Sequence, residues 1–182
     1  MDTHQVNTIG LTVSRSQYRY VRGHPCGRVW LQRWEAFDGH ADRIVCIDAF
    51  EHFHQDSYGE FFQFAHHALP AGGVLLLQTI VGHHRDERCA HDIEHTGIDD
   101  AFMQFLTGTI FAGGPLLPPT GRDSEGVTAY AKDAGVTVTG IQAMGPHYAT
   151  TLDHWANALR EHRDRAIELT GPGIYNACLS VS

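Results

Sequence analysis

Two short, β-branched apolar runs, Arg43–Ile47 and Val74–Ile80, bracket a segment whose apolar residues recur at helical spacing. Runs of this kind suit strands buried on both faces, as in a parallel sheet. Between them, Ser57-x-x-Glu60 reads as a capping box that opens a helix carrying Tyr58, Phe61, Phe62, Ala65 and Leu69 on one face. Pro70-Ala71-Gly72-Gly73 ends it. The first run leads straight into Asp48, Phe50, Glu51, His52 and Phe53. In open parallel α/β sheets, ligands bind beyond the carboxyl ends of the strands. Glu51 is therefore either a site carboxylate or the start of a surface helix or turn, and the stretch alone leaves both open.

The rest of the chain repeats the alternation. Val6 to Val13 has strand composition, and Ser14 with Gln17 makes another capping box for a helix through about Val21. His24-Pro25-Cys26-Gly27 is a turn, and Val29 to Gln32 reads as a strand. A helix from about Asp123 places Val127, Tyr130, Ala131 and Ala134 on one face, with Gly135 set to cap it. Val136 to Met144 reads as a strand. Thr151 to Leu169 reads as one amphipathic helix with Leu152, Trp155, Leu159 and Ala166 inward and a Glu161/Arg165 pair outside. The expectation is a single α/β domain over residues 1–182 with a mostly parallel sheet and helices on both faces. Residues 81–120 interrupt the pattern and read as a lid or insertion.

With 42% hydrophobic residues over 182, a full core is within reach. A net charge of −8 argues against nucleic-acid binding, and only Arg15 to Arg33 leans basic. The chain has no apolar run of membrane-spanning length and no signal-peptide character at Met1 to Val6, so the expected location is cytoplasmic. Its four cysteines are scattered, which signals neither a zinc ribbon nor a disulfide framework.

Several segments together resemble the S-adenosylmethionine-dependent cyclopropane fatty acid and mycolic acid cyclopropane synthases. They are Gly10-Leu11-Thr12-Val13-Ser14 with Gln17, Trp34-Glu35-Ala36-Phe37, Asp42-Arg43-Ile44-Val45, Phe50-Glu51-His52-Phe53, Tyr58 with Phe61-Phe62, Leu69-Pro70 with Gly73, and Thr79-Ile80. Phe111 with Gly113-Gly114, Leu117-Pro118, and His147-Tyr148 with Thr151-Leu152 and Trp155 continue the set. The resemblance implies a Rossmann-like class I methyltransferase fold. Its reaction would be methyl transfer from S-adenosylmethionine to a double bond of a long-chain acyl lipid, free or carrier-bound. It further implies that Thr12, Val13 and Gln17 contact the methionine and ribose end of the cofactor, with Trp34 and Glu35 beside the adenine. Taken alone, Trp34 reads more readily as core. By the same resemblance Glu51 and Tyr148 hold a bicarbonate that removes the final proton. Aromatic residues such as Phe50, Phe53, Phe102 and Phe105 could stabilise a carbocation or simply fill the core.

The chain also departs from that pattern. It begins at the family's second strand, so the first strand and its glycine-rich turn are missing; an exposed sheet edge of that kind invites self-association. Where the family has a histidine, this chain has Gln78, which can hydrogen-bond an anion but cannot carry a proton. After Tyr175 the resemblance ends. These departures support a second reading, a catalytically inactive remnant of the fold. A third comes from the fourteen histidines: His83, His84, Cys89, His91 and His95 fall close together, as in a metal-binding module. Yet H-x-x-x-H without the H-E-x-x-H glutamate lacks the metalloprotease base, and no metal ligands are assigned.

Overall fold

The structure is a computed structural model that describes residues 6–24, 28–82, 104–105, 108 and 126–180. It comprises two compact units, Met1–Thr79 with Ala129–Val136, and Ile80–Thr128 with Thr137–Ser182. The histidine-rich stretch with His83, His84, Cys89, His91 and His95, together with Phe102, Phe111, Gly113, Gly114, Leu117 and Pro118, lies outside the described residues.

The first unit holds β1 (Gly10–Thr12), α1 (Arg15–Arg22), β2 (Val29–Leu31), β3 (Arg43–Ile47), α2 (Tyr58–Ala68), β4 (Val74–Gln78) and most of α3 (Val127–Asp133). Among the described residues the strands form two separate parallel pairs. β1 pairs with β2, Thr12 opposite Leu31, and β3 pairs with β4, Ile47 opposite Gln78. Each pair is joined through a helix, α1 or α2, as parallel strands require.

The core lies on α2. Tyr58, Phe61, Phe62, Ala65 and Ala68 are buried, and Phe50 and Cys46 join them. The expected helical face is thus correct, with Ala68 buried in place of Leu69, which is half-buried. The strands differ from the expectation of burial on both faces. Ile44, Cys46, Leu75 and Leu77 are covered or half-covered, whereas Val45, Ile47, Val74 and Leu76 are 49–63% exposed. Strand alternation puts those four on one face of the pair, which stays open.

The caps came out unequally. Ser14 Oγ accepts from the Gln17 N–H at 3.2 Å, as expected, but the Gln17 side chain accepts from the Thr12 hydroxyl instead of returning to Ser14. Ser57 makes no side-chain cap, because Gln55–Ser57 is already a 3-10 turn and leaves Ser57 at φ −91, ψ −3 rather than extended. Gly135, at φ +81, closes α3 as expected: its N–H bonds to Lys132 O at 2.9 Å and the Val136 N–H to Ala131 O at 2.8 Å.

The second unit holds α4 (Gly145–Glu161) and α5 (Arg163–Ser180), which pack on one another. One long helix was expected there; the chain breaks at His162 and bends again at Gly171, φ +83, followed by Pro172. Trp155 is 58% exposed rather than inward, and Arg165 pairs with Glu168 at 2.7 Å rather than with Glu161. After Tyr175 the chain is helical through Ser180. The strand expected at Val136 to Met144 does not form: Val138, Ile141 and Met144 are exposed, and no described strand offers it a ladder.

Candidate active site

Both strand pairs present their carboxyl ends to the residues that the sequence singles out. Beyond β1, the Thr12 hydroxyl donates to Gln17 Oε1 at 2.7 Å, and the Ser14 N–H donates to Thr12 Oγ1 at 3.1 Å. This small polar network sets the turn into α1. Val13 beside it is 71% exposed.

Beyond β2 the chain makes a 3-10 turn, Trp34–Ala36. Trp34 is half-buried, tilted against Phe53 and Phe64 with centroids at 5.6 and 5.5 Å, and edge-on to Phe61 at 5.4 Å. It is thus built into the aromatic core while keeping part of its ring accessible. Glu35 is exposed and bound by the Arg33 guanidinium. That hydrogen bond holds its carboxyl below the ordinary range and lifts Arg33.

Beyond β3 the turn is sharper. Asp48 adopts φ +48, a left-handed conformation that aspartate tolerates better than most residues. Its N–H is held by the Gln78 carbonyl at 3.2 Å and by Gln78 Oε1 at 3.0 Å. Gln78 therefore braces the turn that sends the chain into the Phe50–His52 3-10 helix. Glu51 follows, 5% exposed, its Oε2 accepting from the Thr79 hydroxyl at 2.9 Å. A buried carboxylate needs such partners to persist. Glu51 is a buried carboxylate beyond β3, not a surface helix start.

Around it, Phe50 is fully buried and stacks on Tyr58 at 4.6 Å, with Phe53, Phe61 and Phe62 at 5.5–5.8 Å. Cys46 lies behind; burial, and then the charge of Glu51, push its thiol up to about 11. Such a thiol is unreactive at neutral pH. Among the described residues no group of three His, Cys, Asp or Glu is arranged to hold a metal ion.

The Trp34–Phe53 contact joins the rims of the two pairs, so Thr12, Gln17, Trp34, Glu51 and Gln78 all belong to the carboxyl-end side of the first unit. Tyr148 belongs to the second unit, on α4, where it is 48% exposed and edge-on to Trp155 at 6.5 Å. Phe105 is half-buried. Thr79 and Tyr58 are functional candidates that residue-by-residue reasoning passed over. The strand register would have found Thr79, since Ile47 opposite Gln78 puts it across from the Asp48 turn.

The profile of the mycolic acid cyclopropane synthetase family matches residues 1–178. The methoxy mycolic acid synthase MmaA3 of Mycobacterium tuberculosis is 40% identical over 182 residues, covering 96% of this chain and 60% of its own length. The cyclopropane mycolic acid synthase MmaA2 of the same species is 41% identical, covering 94% and 61%. Among solved structures, the cyclopropane synthase MmaA2 from Mycobacterium tuberculosis superposes with a TM-score of 0.87 at 38% identity, over 98% of this chain and 64% of that one. The mycolic acid cyclopropane synthase CmaA1 complexed with SAH and CTAB gives 0.84 at 38%, over 98% and 63%. The chain spans about three-fifths of the length of the curated relatives it matches. With the carboxyl-end rim and these likenesses together, the chain belongs to the mycolic acid cyclopropane synthetase family and has its methyltransferase fold.

Proposed function

We propose that this chain carries the cofactor rim and the buried carboxylate of an S-adenosylmethionine-dependent methyltransferase acting on a double bond of a long-chain acyl lipid. The observation that carries the reading is Glu51, a carboxylate held at 5% exposure by Thr79 inside an aromatic cluster at the end of a parallel strand pair. Thr12 and Gln17 supply hydroxyl and amide groups to the methionine and ribose end, and Val13 an apolar wall. Trp34 offers part of an indole face to the adenine, and Glu35 an acceptor. These groups fit an adenosyl ligand, whose sulfonium methyl is the electrophile when bound. The protein's own part is alignment, exclusion of water by Phe50 and Phe53, and stabilisation of positive charge by Glu51 and the rings.

Glu51 is the residue of the first unit to face bicarbonate, with Gln78 acting only through the Asp48 turn, and Tyr148 of the second unit keeps the catalytic role that the family likeness implies. The working picture is a single methyltransferase domain with residues 81–120 as a lid or insertion, located in the cytoplasm. The exposed arginine face of α1, Arg15, Arg19 and Arg22, favours a substrate delivered on an acidic carrier. Val45, Ile47, Val74 and Leu76 offer an apolar face for self-association. That same open face supports the second reading, an inactive remnant of the fold.

Calorimetry with S-adenosylhomocysteine separates the two. The methyltransferase reading expects saturable heat at one site per chain; no heat at millimolar ligand leaves the remnant.

A further inference from the structure

The end of the β3–α2–β4 unit opposite Glu51 holds a pair of imidazoles. His40 lies in the segment that enters β3, and His67 in the last turn of α2. Their ring centroids are 6.1 Å apart with the planes at 44°, tilted rather than stacked. Both residues are exposed, and among the described residues neither ring makes a hydrogen bond or an ion pair. Their backbones, however, are clamped in register. Ala41, which follows His40, donates its N–H to the carbonyl of Ala68, which follows His67, at 3.0 Å. Phe37 and Phe64, three residues before each histidine, meet edge-on at 6.1 Å and 89°. The Phe37 ring in turn folds over Gly39, where a Cβ would come within 2.8 Å of it, so the residue before His40 has no room for a side chain.

Contacts on either side thus hold two rings together whose nitrogens are left to solvent. Imidazole nitrogen is a good ligand for borderline-soft transition ions such as zinc and copper, whereas magnesium and calcium prefer oxygen. With a zinc–nitrogen bond of about 2.0–2.1 Å, each ring centre lies about 3.2 Å from the ion, so two ligating imidazoles have centres about 5 Å apart at a tetrahedral angle and about 6 Å apart at a wider one. The observed pair stands at the wide end of that range, and exposed rings close the remainder by side-chain rotation.

We propose that His40 and His67 form a two-imidazole site for a divalent transition ion of the zinc type, which ties the end of α2 to the entry of β3. No third His, Cys, Asp or Glu among the described residues joins them, so the remaining coordination positions fall to water or to a donor from solution. The site lies at the other end of β3 from Glu51. It stabilises the first unit and takes no part in the proposed methyl transfer, so its test needs neither cofactor nor turnover.

Melting curves in zinc chloride decide it. An ion that binds only the folded pairing should raise the melting temperature of wild type by about 3–5 °C at a tenfold excess of free zinc over its Kd, while magnesium chloride at the same concentration leaves it unchanged. His40→Gln and His67→Gln, both at exposed positions, should each lose the same part of that rise. The double variant should lose no more than either single one, because one imidazole alone does not chelate. Zinc held by other histidines of the chain leaves the rise intact in the single variants. That result, losses that add in the double variant, or an equal rise with magnesium overturns the site. Should a variant fail to fold, wild type answers alone by proton spectra. The ring signals of His40 and His67 should fade at one common copper(II) concentration; signals that persist, or that fade at separate concentrations, contradict the pair.

Discussion

The two parallel strand pairs end alike in topology and differently in physics. Beyond β1 and β2 the side chains proposed to meet the cofactor are exposed or half-buried and held by local contacts: Thr12 with Gln17, Arg33 with Glu35. Beyond β3 and β4, Glu51, Phe50 and Tyr58 are buried and Thr79 and Gln78 half-buried, and the hydrogen bonds run across the strand pair, Thr79 to Glu51 and the Asp48 N–H to Gln78, with Tyr58 stacked on Phe50. A rim that must bind and release a polar cofactor suits the first arrangement. The second suits the role proposed for Glu51, because its position is fixed before any ligand arrives.

The largest expected effect lies at the buried end. Phe50→Ala removes a fully buried ring touching Phe53, Tyr58, Phe61 and Phe62, and should cost about 3–5 kcal/mol in urea unfolding. Val13→Ala at the open end should stay within about 0.5 kcal/mol. Equal losses at the two would erase the distinction.

Next comes the carboxylate's partner. Thr79→Val keeps the shape and removes the donor to Glu51, an expected cost of about 2 kcal/mol by the same measurement. A neutral result would mean that Glu51 is satisfied without it.

Smaller still in energy, but sharp in rate, is the thiol contrast. Cys46 is buried with its thiol at about 11, against an ordinary 9.0, while Cys178 is exposed. Because the folded value is raised, the thiolate appears only at higher pH. Peptide-resolved alkylation at pH 8 should therefore label Cys178 rapidly and Cys46 at least about tenfold more slowly, the ratio narrowing toward pH 11. Comparable rates would show that the core behind Glu51 opens freely.

The sequence made some of this contrast visible. The β3–α2–β4 unit could be read because its apolar residues follow strand and helix periods, and because Pro70 to Gly73 punctuates the helix. Glu51 stood out as a carboxylate at the end of a strand. What could not be read depended on neighbours outside each segment. The exposure of Val45 and Leu76 depends on what lies over that face, which the run of apolar residues does not state. Val136 to Met144 has strand composition, but composition supplies no ladder partner. Ser57 matches a capping box, yet the preceding 3-10 turn denies it the extended backbone that a cap needs. Gln78 looked like a weakened site ligand; only the strand register shows its side chain bracing Asp48. Tyr58 was legible as core from its spacing, whereas the lack of a hydrogen-bond partner for its hydroxyl among the described residues required the packed rings around it.

The most direct measurement of the division between the two rims is a calorimetric titration of S-adenosylhomocysteine into wild type, Gln17→Ala and Glu51→Gln. Gln17→Ala should weaken binding about threefold to tenfold, the worth of one hydrogen bond, while Glu51→Gln stays within about twofold of wild type. Weaker binding by Glu51→Gln with Gln17→Ala unchanged would place the cofactor on the buried rim and contradict the account.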